Sequence, residues 1–168
     1  ATAFGGGSSA LTREGGQLTE GTSTSTTAVD LLTTSSLSID PLKPTLALWS
    51  GRKSGGAAAR ADHGLKVNAT VVHEAGAGAG TNLGAATDGV SSAAFSYRIG
   101  PVLANYLRSG QLVSASAGAG GTASTVGAVA SADIPNVTWT SVIVRSTVDN
   151  ALVTTGADEM EVYTQANA

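Results

Sequence analysis

The chain has 168 residues, contains no cysteine and carries 9 basic and 12 acidic side chains. The lack of cysteine excludes disulfides, thiolate metal sites and a cysteine nucleophile. Charged residues form 12% of the chain, about half the ~25% of an ordinary soluble domain, so we expect much of the surface to face other protein rather than water. The net charge of −3 and the scattered basic residues argue against a nucleic-acid partner.

Composition also bounds the fold and the location of the chain. The length suits one domain with a core. The hydrophobic fraction of 42% opposes disorder over most of the length, and the abundance of small and β-branched residues favours strands and turns over helices. No apolar run approaches the ~20 residues of a membrane span, and the N-terminus lacks the basic and apolar regions of a secretion signal. We therefore expect no membrane partner.

Residues 1–44 are predicted to form an extended N-terminal arm. A glycine run and a polar Ser/Thr stretch at 22–27 hold no fixed shape alone, and Pro41 and Pro44 end the segment because each proline disfavours helix in the residue before it. A disordered tail is the alternative. The few large apolar side chains of this arm are expected to bind a partner; they are Val29, Leu31, Leu32, Leu37 and Ile39.

Residues 45–168 are predicted to form a β body. It opens with a short strand at 45–50, followed by a polar loop over 51–64 that carries Lys53, Asp62 and His63. Residues 65–72 alternate between apolar and polar side chains, which is typical of a half-buried strand. Residues 94–99 repeat that alternation.

Two hairpins are predicted further along the chain. One joins 103–108 to 111–116 across Ser109-Gly110, since a two-residue link with glycine suits a tight primed turn. The other joins 138–148 to 151–155 across Asp149-Asn150, and a last strand covers 160–165. Short strands separated by turns, without a long segment of helical period, predict an all-β fold: a β-sandwich or jelly-roll-like barrel with Gly/Ala-rich loops.

The stretch VVHEAGAGAGTNLG, residues 71–84, looks at first like a nucleotide-binding loop. A dinucleotide fingerprint needs a third glycine, where this chain has Thr81 or Leu83. It also needs a following helix and an acidic residue about 20 positions on, and neither is present. We therefore predict no cofactor, and we expect the loops at 76–84 and 118–127 to be mobile because glycine carries the largest ordering cost.

The two histidines do not suggest a metal site. His63 lies beside Asp62 in the predicted loop, and His73 ends a strand beside Glu74. A metal needs three or four convergent ligands, and adjacent residues on a strand point to opposite faces. Both histidines are therefore interpreted as ordinary edge residues.

The acidic and hydroxyl side chains give no catalytic pattern either. Asp158, Glu159 and Glu161 form a small acidic cluster that could serve glycoside hydrolysis or calcium binding, but an exposed turn explains it as well. No G-x-S-x-G elbow occurs among the many serines. We predict no catalytic, cofactor-binding or metal residues and no enzyme activity.

The aromatic side chains leave one binding function open. A sugar-stacking platform would use exposed rings, whereas rings on alternating strands first serve a core. Buried tryptophans would oppose such a platform. The residues concerned are Trp49, Trp139, Tyr97, Tyr106 and Tyr163.

In layout, the chain resembles a structural protein of a tailed bacteriophage, particularly a capsid decoration (cement) protein. The resemblance covers the whole chain but only its composition and order of parts, so no functional residue is carried over. It implies a location on the capsid surface of a virion, binding to the major capsid protein or another virion protein, and a homo-oligomer, specifically a trimer. A tail or fibre component fits nearly as well. The alternatives are a carbohydrate-binding β-sandwich, such as a lectin or adhesin, and a hydrolase with a jelly-roll body.

Overall fold

A computed structural model of the chain describes residues 11–17, 19–54, 61–73, 81–82, 90–99, 110–117, 123–129, 135–149, 152 and 154–165. In this part of the chain all regular structure is β and there is no helix, which confirms the predicted all-β class. It accordingly contains no helix long and apolar enough to span a membrane. The strands in chain order are β1 (Leu11–Gln17), β2 (Gly21–Ser23), β3 (Val29–Thr34), β4 (Thr45–Ser54), β5 (Ala61–Val67), β6 (Thr70–His73), β7 (Thr81–Asn82), β8 (Val90–Ile99), β9 (Gly110–Ala117), β10 (Ala123–Val129), β11 (Val142–Val148) and β12 (Thr154–Gln165).

The strands form two antiparallel sheets. The seven-stranded sheet has the order β1-β12-β4-β8-β9-β10, and β2 also pairs with β12. The five-stranded sheet has the order β3-β11-β5-β6, and β7 also pairs with β5. Side chains from both sheets share one buried apolar cluster, so the arrangement is sandwich-like.

The core lies between the sheets and follows the alternation of strand side chains. On β12, Met160, Val162 and Thr164 are buried, while the intervening residues are partly exposed. The five-stranded sheet contributes fully buried Leu32 and Leu65 among others. Burying such a side chain is worth about 1.5–3 kcal/mol before ordering costs, so this period-two pattern is what holds the two sheets together.

Strands β1, β2 and β3 lie in these sheets rather than in an arm outside a β body. Strands β1 and β2 pair with β12, and β3 pairs with β11. This runs against a division of the chain at residue 44, because the two sides of that boundary share both sheets and the core. The partner-binding role of the five apolar side chains stays a prediction, and it would require them to leave the core. In the structure Val29 packs against the core. The other four are buried in it: Leu31, Leu32, Leu37 and Ile39.

One predicted hairpin is contradicted by the strand pairing, and the other lies partly outside the described residues. The strand predicted at 103–108 is not described, while β9 pairs with β8 and β10. Strand β11 pairs with β3 and β5, whereas β12 belongs to the other sheet. The chain therefore crosses between sheets after β11 instead of turning back on it.

The Gly/Ala-rich loops contain strands. Within 76–84 the structure describes β7, and within 118–127 it describes the start of β10. The other residues of both loops lie outside the described part of the chain. Their mobility stays a prediction.

Candidate functional site

The polar loop predicted over 51–64 is strand at both ends. Strand β4 continues to Ser54 and β5 begins at Ala61. Consequently Lys53, Asp62 and His63 lie within strands and are at most 1% exposed. This corrects the interpretation of His63 as an ordinary edge residue.

His63 connects the two sheets. The indole Nε1 of Trp49 donates a hydrogen bond to His63 Nδ1 at 3.3 Å, and His63 Nε2 lies 3.0 Å from Thr155 Oγ1. Trp49 is on β4 and Thr155 on β12, both in the seven-stranded sheet, while His63 is on β5 in the other sheet. The ring therefore bridges the interior of the sandwich.

Two hydroxyl groups extend this contact. Thr155 Oγ1 lies 2.9 Å from Ser146 Oγ, and Ser146 Oγ donates to the backbone carbonyl of Asp62 at 2.9 Å. An indole can only donate, so His63 Nδ1 must accept and the proton of the neutral ring is assigned to Nε2. Nε2–H then donates to Thr155, Thr155 to Ser146, and Ser146 to the carbonyl. Each hydrogen bond in the chain thus has a donor and an acceptor.

The direction of this chain opposes nucleophilic catalysis. A general base must take a proton from the hydroxyl it activates, but His63 Nε2 already carries one and the Nδ1 lone pair accepts from Trp49. Burial lowers the pKa of His63 to about 3, so the ring is neutral near pH 7. Ser146 and Thr155 are also fully buried, which denies a substrate access to either hydroxyl.

A second basic residue lies on the same inner face. Lys53 is the register partner of Thr155, and it is fully buried. Because Trp49 and Lys53 are four positions apart on one strand, their side chains project from the same side of the sheet. The polar end of the sandwich is therefore built from a lysine, a histidine and two hydroxyl groups, flanked by Trp49.

The three acidic residues near the C-terminus, Asp158, Glu159 and Glu161, do not form one cluster in the structure. Asp158 accepts a hydrogen bond from Ser50 at 3.0 Å, Glu159 is exposed, and an irregularity between Ala157 and Met160 separates them from Glu161. Among the residues that the structure describes, no three His, Asp or Glu side chains gather as a metal site.

Glu161 instead belongs to a surface group on the outer face of the seven-stranded sheet. Its carboxylate accepts from Tyr163 OH at 2.8 Å and from Arg13 Nε at 2.9 Å. These hydrogen bonds, Tyr163 first and then Arg13, lower the pKa of Glu161, and the bond to Glu161 raises the pKa of Tyr163. Arg13 lies in the segment predicted as arm, so no sequence pattern groups it with Glu161 and Tyr163.

The remaining candidate site residues lie either in the core or largely outside the described part of the chain. Trp49 is 3% exposed and Trp139 is fully buried, with its Nε1 donating to the Pro135 carbonyl at 2.9 Å. Neither tryptophan can stack on a sugar. The backbone of His73 pairs with Leu65. Three other candidates lie outside what the structure describes, either entirely or in their side chains: Glu74, Tyr97 and Tyr106.

Comparison with known proteins gives only remote likenesses. No family model matches the chain, and no curated protein matches it. Dimeric latent PorU from Porphyromonas gingivalis is similar with a TM-score of 0.39 at 9% identity, covering 99% of this chain and 14% of that one. The CBM2 module of the evolved Dit of Lactobacillus casei BL23 phage J-1 gives 0.34 at 7% identity, covering 77% and 65%.

A third likeness is to the binding domain of Botulinum neurotoxin DC, solved in complex with rat synaptotagmin II. Its TM-score is 0.32 at 7% identity, covering 94% of this chain and 44% of that one. At such TM-scores and identities none of these likenesses carries an argument about what this chain does.

Proposed function

We propose that this chain is a non-enzymatic structural protein of a virion, of the capsid-decoration type, which binds and stabilises a protein shell. Its proposed partners are the major capsid protein or another virion protein, and copies of itself in a trimer. The low charge density supports a surface that is covered by protein. The closed, fully hydrogen-bonded state of the His63 network supports the absence of catalysis.

The observation that carries this proposal is that strand β10 has an open edge in the described part of its sheet, without charged residues or proline. It is an outer strand of the seven-stranded sheet, and among the described strands it pairs with β9 alone. Its seven residues, ASTVGAV, include no charge and no proline. Natural proteins usually protect such an edge with lysine, proline or a bulge, because an open edge accepts a further strand. Here only a register shift between Val126 and Ala128 interrupts the edge.

Two of the other outer strands, β1 and β3, are better protected. Strand β1 carries Arg13 and Glu14 and has a register shift between Arg13 and Gly15. On β3, the backbone N–H of Thr33 donates to the side chain of Gln17 at 2.6 Å. This contrast makes β10 the proposed docking edge for a partner strand.

Sedimentation equilibrium tests the proposal directly. The wild-type chain is expected at about three times its 16.4 kDa mass, and it should co-sediment with tailed-phage shells that lack their own decoration protein. Ser124→Lys and Thr125→Lys place a charge on either face of β10 and should weaken both associations. Thr12→Lys, at an exposed position of β1, is the matched control and should not. A monomer that binds no shell, or equal behaviour of all three variants, would refute the proposal.

One observation favours carbohydrate binding as a second candidate. Tyr163, Glu161 and Arg13 place an aromatic ring, a carboxylate and a guanidinium together on a partly exposed sheet face. Rings and fixed polar groups of this kind orient sugars. On a glycan array, Tyr163→Ala should abolish binding, while Tyr163→Phe should retain part of it because the ring remains. No glycan bound by the wild type would exclude this candidate.

A further inference from the structure

The polar end of the sandwich is held by a hydrogen-bond chain that tolerates only one protonation state. His63 accepts from Trp49 through Nδ1 and reaches Thr155 through Nε2. Both partners lie on the opposite sheet, so these contacts resist separation of the sheets at this end. A change that turns Nδ1 from an acceptor into a donor would break the hydrogen bond from Trp49.

We propose that the Trp49–His63–Thr155 chain is an acid-sensitive latch, which closes this end of the sandwich while His63 is neutral and opens it when His63 takes up a proton. The device concerns the stability of the fold and is independent of the proposed partner. Opening of the latch would separate β5 locally from β4 and β12.

The donor–acceptor pattern explains why a proton cannot be accommodated in the closed form. In imidazolium both ring nitrogens donate. The Thr155 hydroxyl can still accept from Nε2–H, but the Trp49 indole has no lone pair to offer. Two N–H groups would then face each other across the 3.3 Å that now separates donor from acceptor. A buried donor left without an acceptor costs the full desolvation of that group.

The charged groups around His63 do not relieve this conflict. Lys53 on β4 shares the inner face and is itself basic, while β11 and β12 contribute the hydroxyls of Ser146 and Thr155. Asp62 is adjacent on β5 and its carboxylate is buried, but alternation along the strand directs it away from the inner face that His63 occupies. On β12, Asp158 bonds Ser50, which alternates with Trp49 and therefore lies on the outer face.

Other charges near β5 lie on the outside of the five-stranded sheet. Lys66 and Arg145 both contact Asp30 there, at 2.6 and 3.1 Å. Within the described part of β4 and β11 there is no acidic residue. A proton on His63 would therefore meet a desolvated interior, in agreement with the lowering of its pKa to about 3 by burial.

The direction of the pH effect follows from linkage. The pKa of His63 is about 3 in the closed form and rises to about 6.5 once the ring meets water. Between these values the open form binds a proton that the closed form does not. The stabilisation is complete above about pH 6.5 and is lost as the pH falls towards 3, with the opening equilibrium constant rising up to ~10-fold per pH unit.

Native-state amide exchange of the full chain at several pH values, corrected for intrinsic exchange, tests the latch. Between pH 6 and 4 the wild type should show up to ~100-fold more opening, concentrated in β5 and in the parts of β4 and β12 nearest Lys53. His63→Gln keeps an acceptor and a donor but cannot be protonated in this range, so its opening should lose this pH dependence. An identical acid response in both proteins would overturn the latch.

A pair of tryptophan variants keeps the test decisive if His63→Gln fails to fold. Trp49→Phe removes the donor that opposes a proton on Nδ1, so its acid response should be weaker than that of the wild type, although burial still lowers the pKa of His63. Trp139→Phe also removes a buried indole donor, here one bonded to Pro135, and should lower stability without changing the acid response. Equal acid responses of the two variants would refute the latch.

Discussion

Glycines in the N-terminal strands allow backbones to approach closely. A Cβ built on Gly21 would lie 2.2 Å from the carbonyl oxygen of Leu31, and one on Gly15 would lie 2.8 Å from the Leu37 side chain. The first neighbour is backbone, which cannot move aside without shifting β3, whereas the second is the end of a flexible side chain. The two positions should therefore differ in their tolerance of a methyl group.

We expect Gly21→Ala to lower the free energy of unfolding by about 1–3 kcal/mol or more, as overpacking of a filled site does. Gly15→Ala should cost less, because Leu37 can change rotamer. Urea denaturation followed by far-UV circular dichroism measures both. Thr22→Ala, at an exposed position of the same strand, is the control, with an effect within about 0.5 kcal/mol. Equal effects of the two glycine variants would contradict this account.

Asn68 joins the β5–β6 turn to the segment before β11. Its φ is 54°, a left-handed conformation, and its Oδ1 accepts from the backbone of Thr140 at 2.8 Å while Nδ2 donates to the Thr138 carbonyl at 3.2 Å. Asparagine suits this position because its short amide tolerates the left-handed region better than most side chains.

We expect Asn68→Gly and Asn68→Ala to separate these two contributions. The glycine variant loses the side-chain hydrogen bonds, each worth about 0.5–1.5 kcal/mol, but keeps an unstrained backbone. The alanine variant loses the bonds and adds about 1–2 kcal/mol of left-handed strain. Thermal unfolding should therefore rank wild type above glycine above alanine. An alanine variant at least as stable as the glycine variant would show that backbone strain is not significant here.

The sequence alone did not place His63 and Lys53 in the interior, although a signal was present. Trp49, Gly51 and Lys53 continue the period-two alternation of β4, and His63 and Leu65 do the same on β5. The charged and polar side chains at 51–64 nevertheless indicate a loop, because such side chains are usually exposed. Polar side chains become buried when their partners are supplied by the other sheet, and a local pattern contains no information about those partners.

At the scale of strands, the N-terminal segment is part of the sandwich. Strand β3 brings Leu31 and Leu32 into the core and forms one side of β11, while β1 covers the edge of β12. Without these strands, β11 and β12 would each expose a row of backbone groups and an apolar face. The segment was predicted to be an extended arm, whereas the pairing places its strands within both sheets.

We expect deletion of residues 1–40 to abolish the folded state. The loss of four buried Leu and Ile side chains at about 1.5–3 kcal/mol each is comparable to the ~5–15 kcal/mol of stability of a whole domain. Circular dichroism and one-dimensional NMR of the truncated chain measure this. Deletion of residues 1–10 is the control, because it leaves β1, β2 and β3 in place. A truncated protein that keeps its β-sheet spectrum would instead support the prediction of an N-terminal arm outside the folded core.

The period-two pattern predicted strands and class correctly but not which strands pair. The strand predicted over 138–148 contains β11, whereas the single strand predicted over 65–72 is divided by a turn at 68–69 into the end of β5 and β6. Strand partners depend on contacts between distant positions, such as Leu11 with Gln165. The residues of neither strand identify the strand with which it pairs. The hairpin predicted across Asp149-Asn150 was wrong because a short link between consecutive strands serves equally for a turn within a sheet and for a crossing between sheets.

At the scale of the whole molecule, each end of the sandwich contains one tryptophan. Trp139 forms an isolated bridge with Ile39 just before β11 begins, while Trp49 contacts His63 in the half that contains Lys53 and Thr155. Strand β11 runs between these two regions and pairs along its whole length with β5, from Val142 with Val67 to Val148 with Ala61. This continuous pairing couples the two ends through one core.

We expect the sandwich to unfold as a single unit at neutral pH, which the two tryptophans can report separately. Trp139→Phe leaves only Trp49, and Trp49→Phe leaves only Trp139. At pH 7 the urea curve from fluorescence should coincide with that from circular dichroism in each variant, as a two-state transition requires. At pH 4 the fluorescence of Trp49 should change before the circular dichroism signal, because opening begins beside His63, whereas the curves of the Trp49→Phe variant should still coincide. Separate transitions already at pH 7 would mean that the two ends fold independently, and the shared core of β3, β5, β11 and β12 would then not be the element that unites the chain.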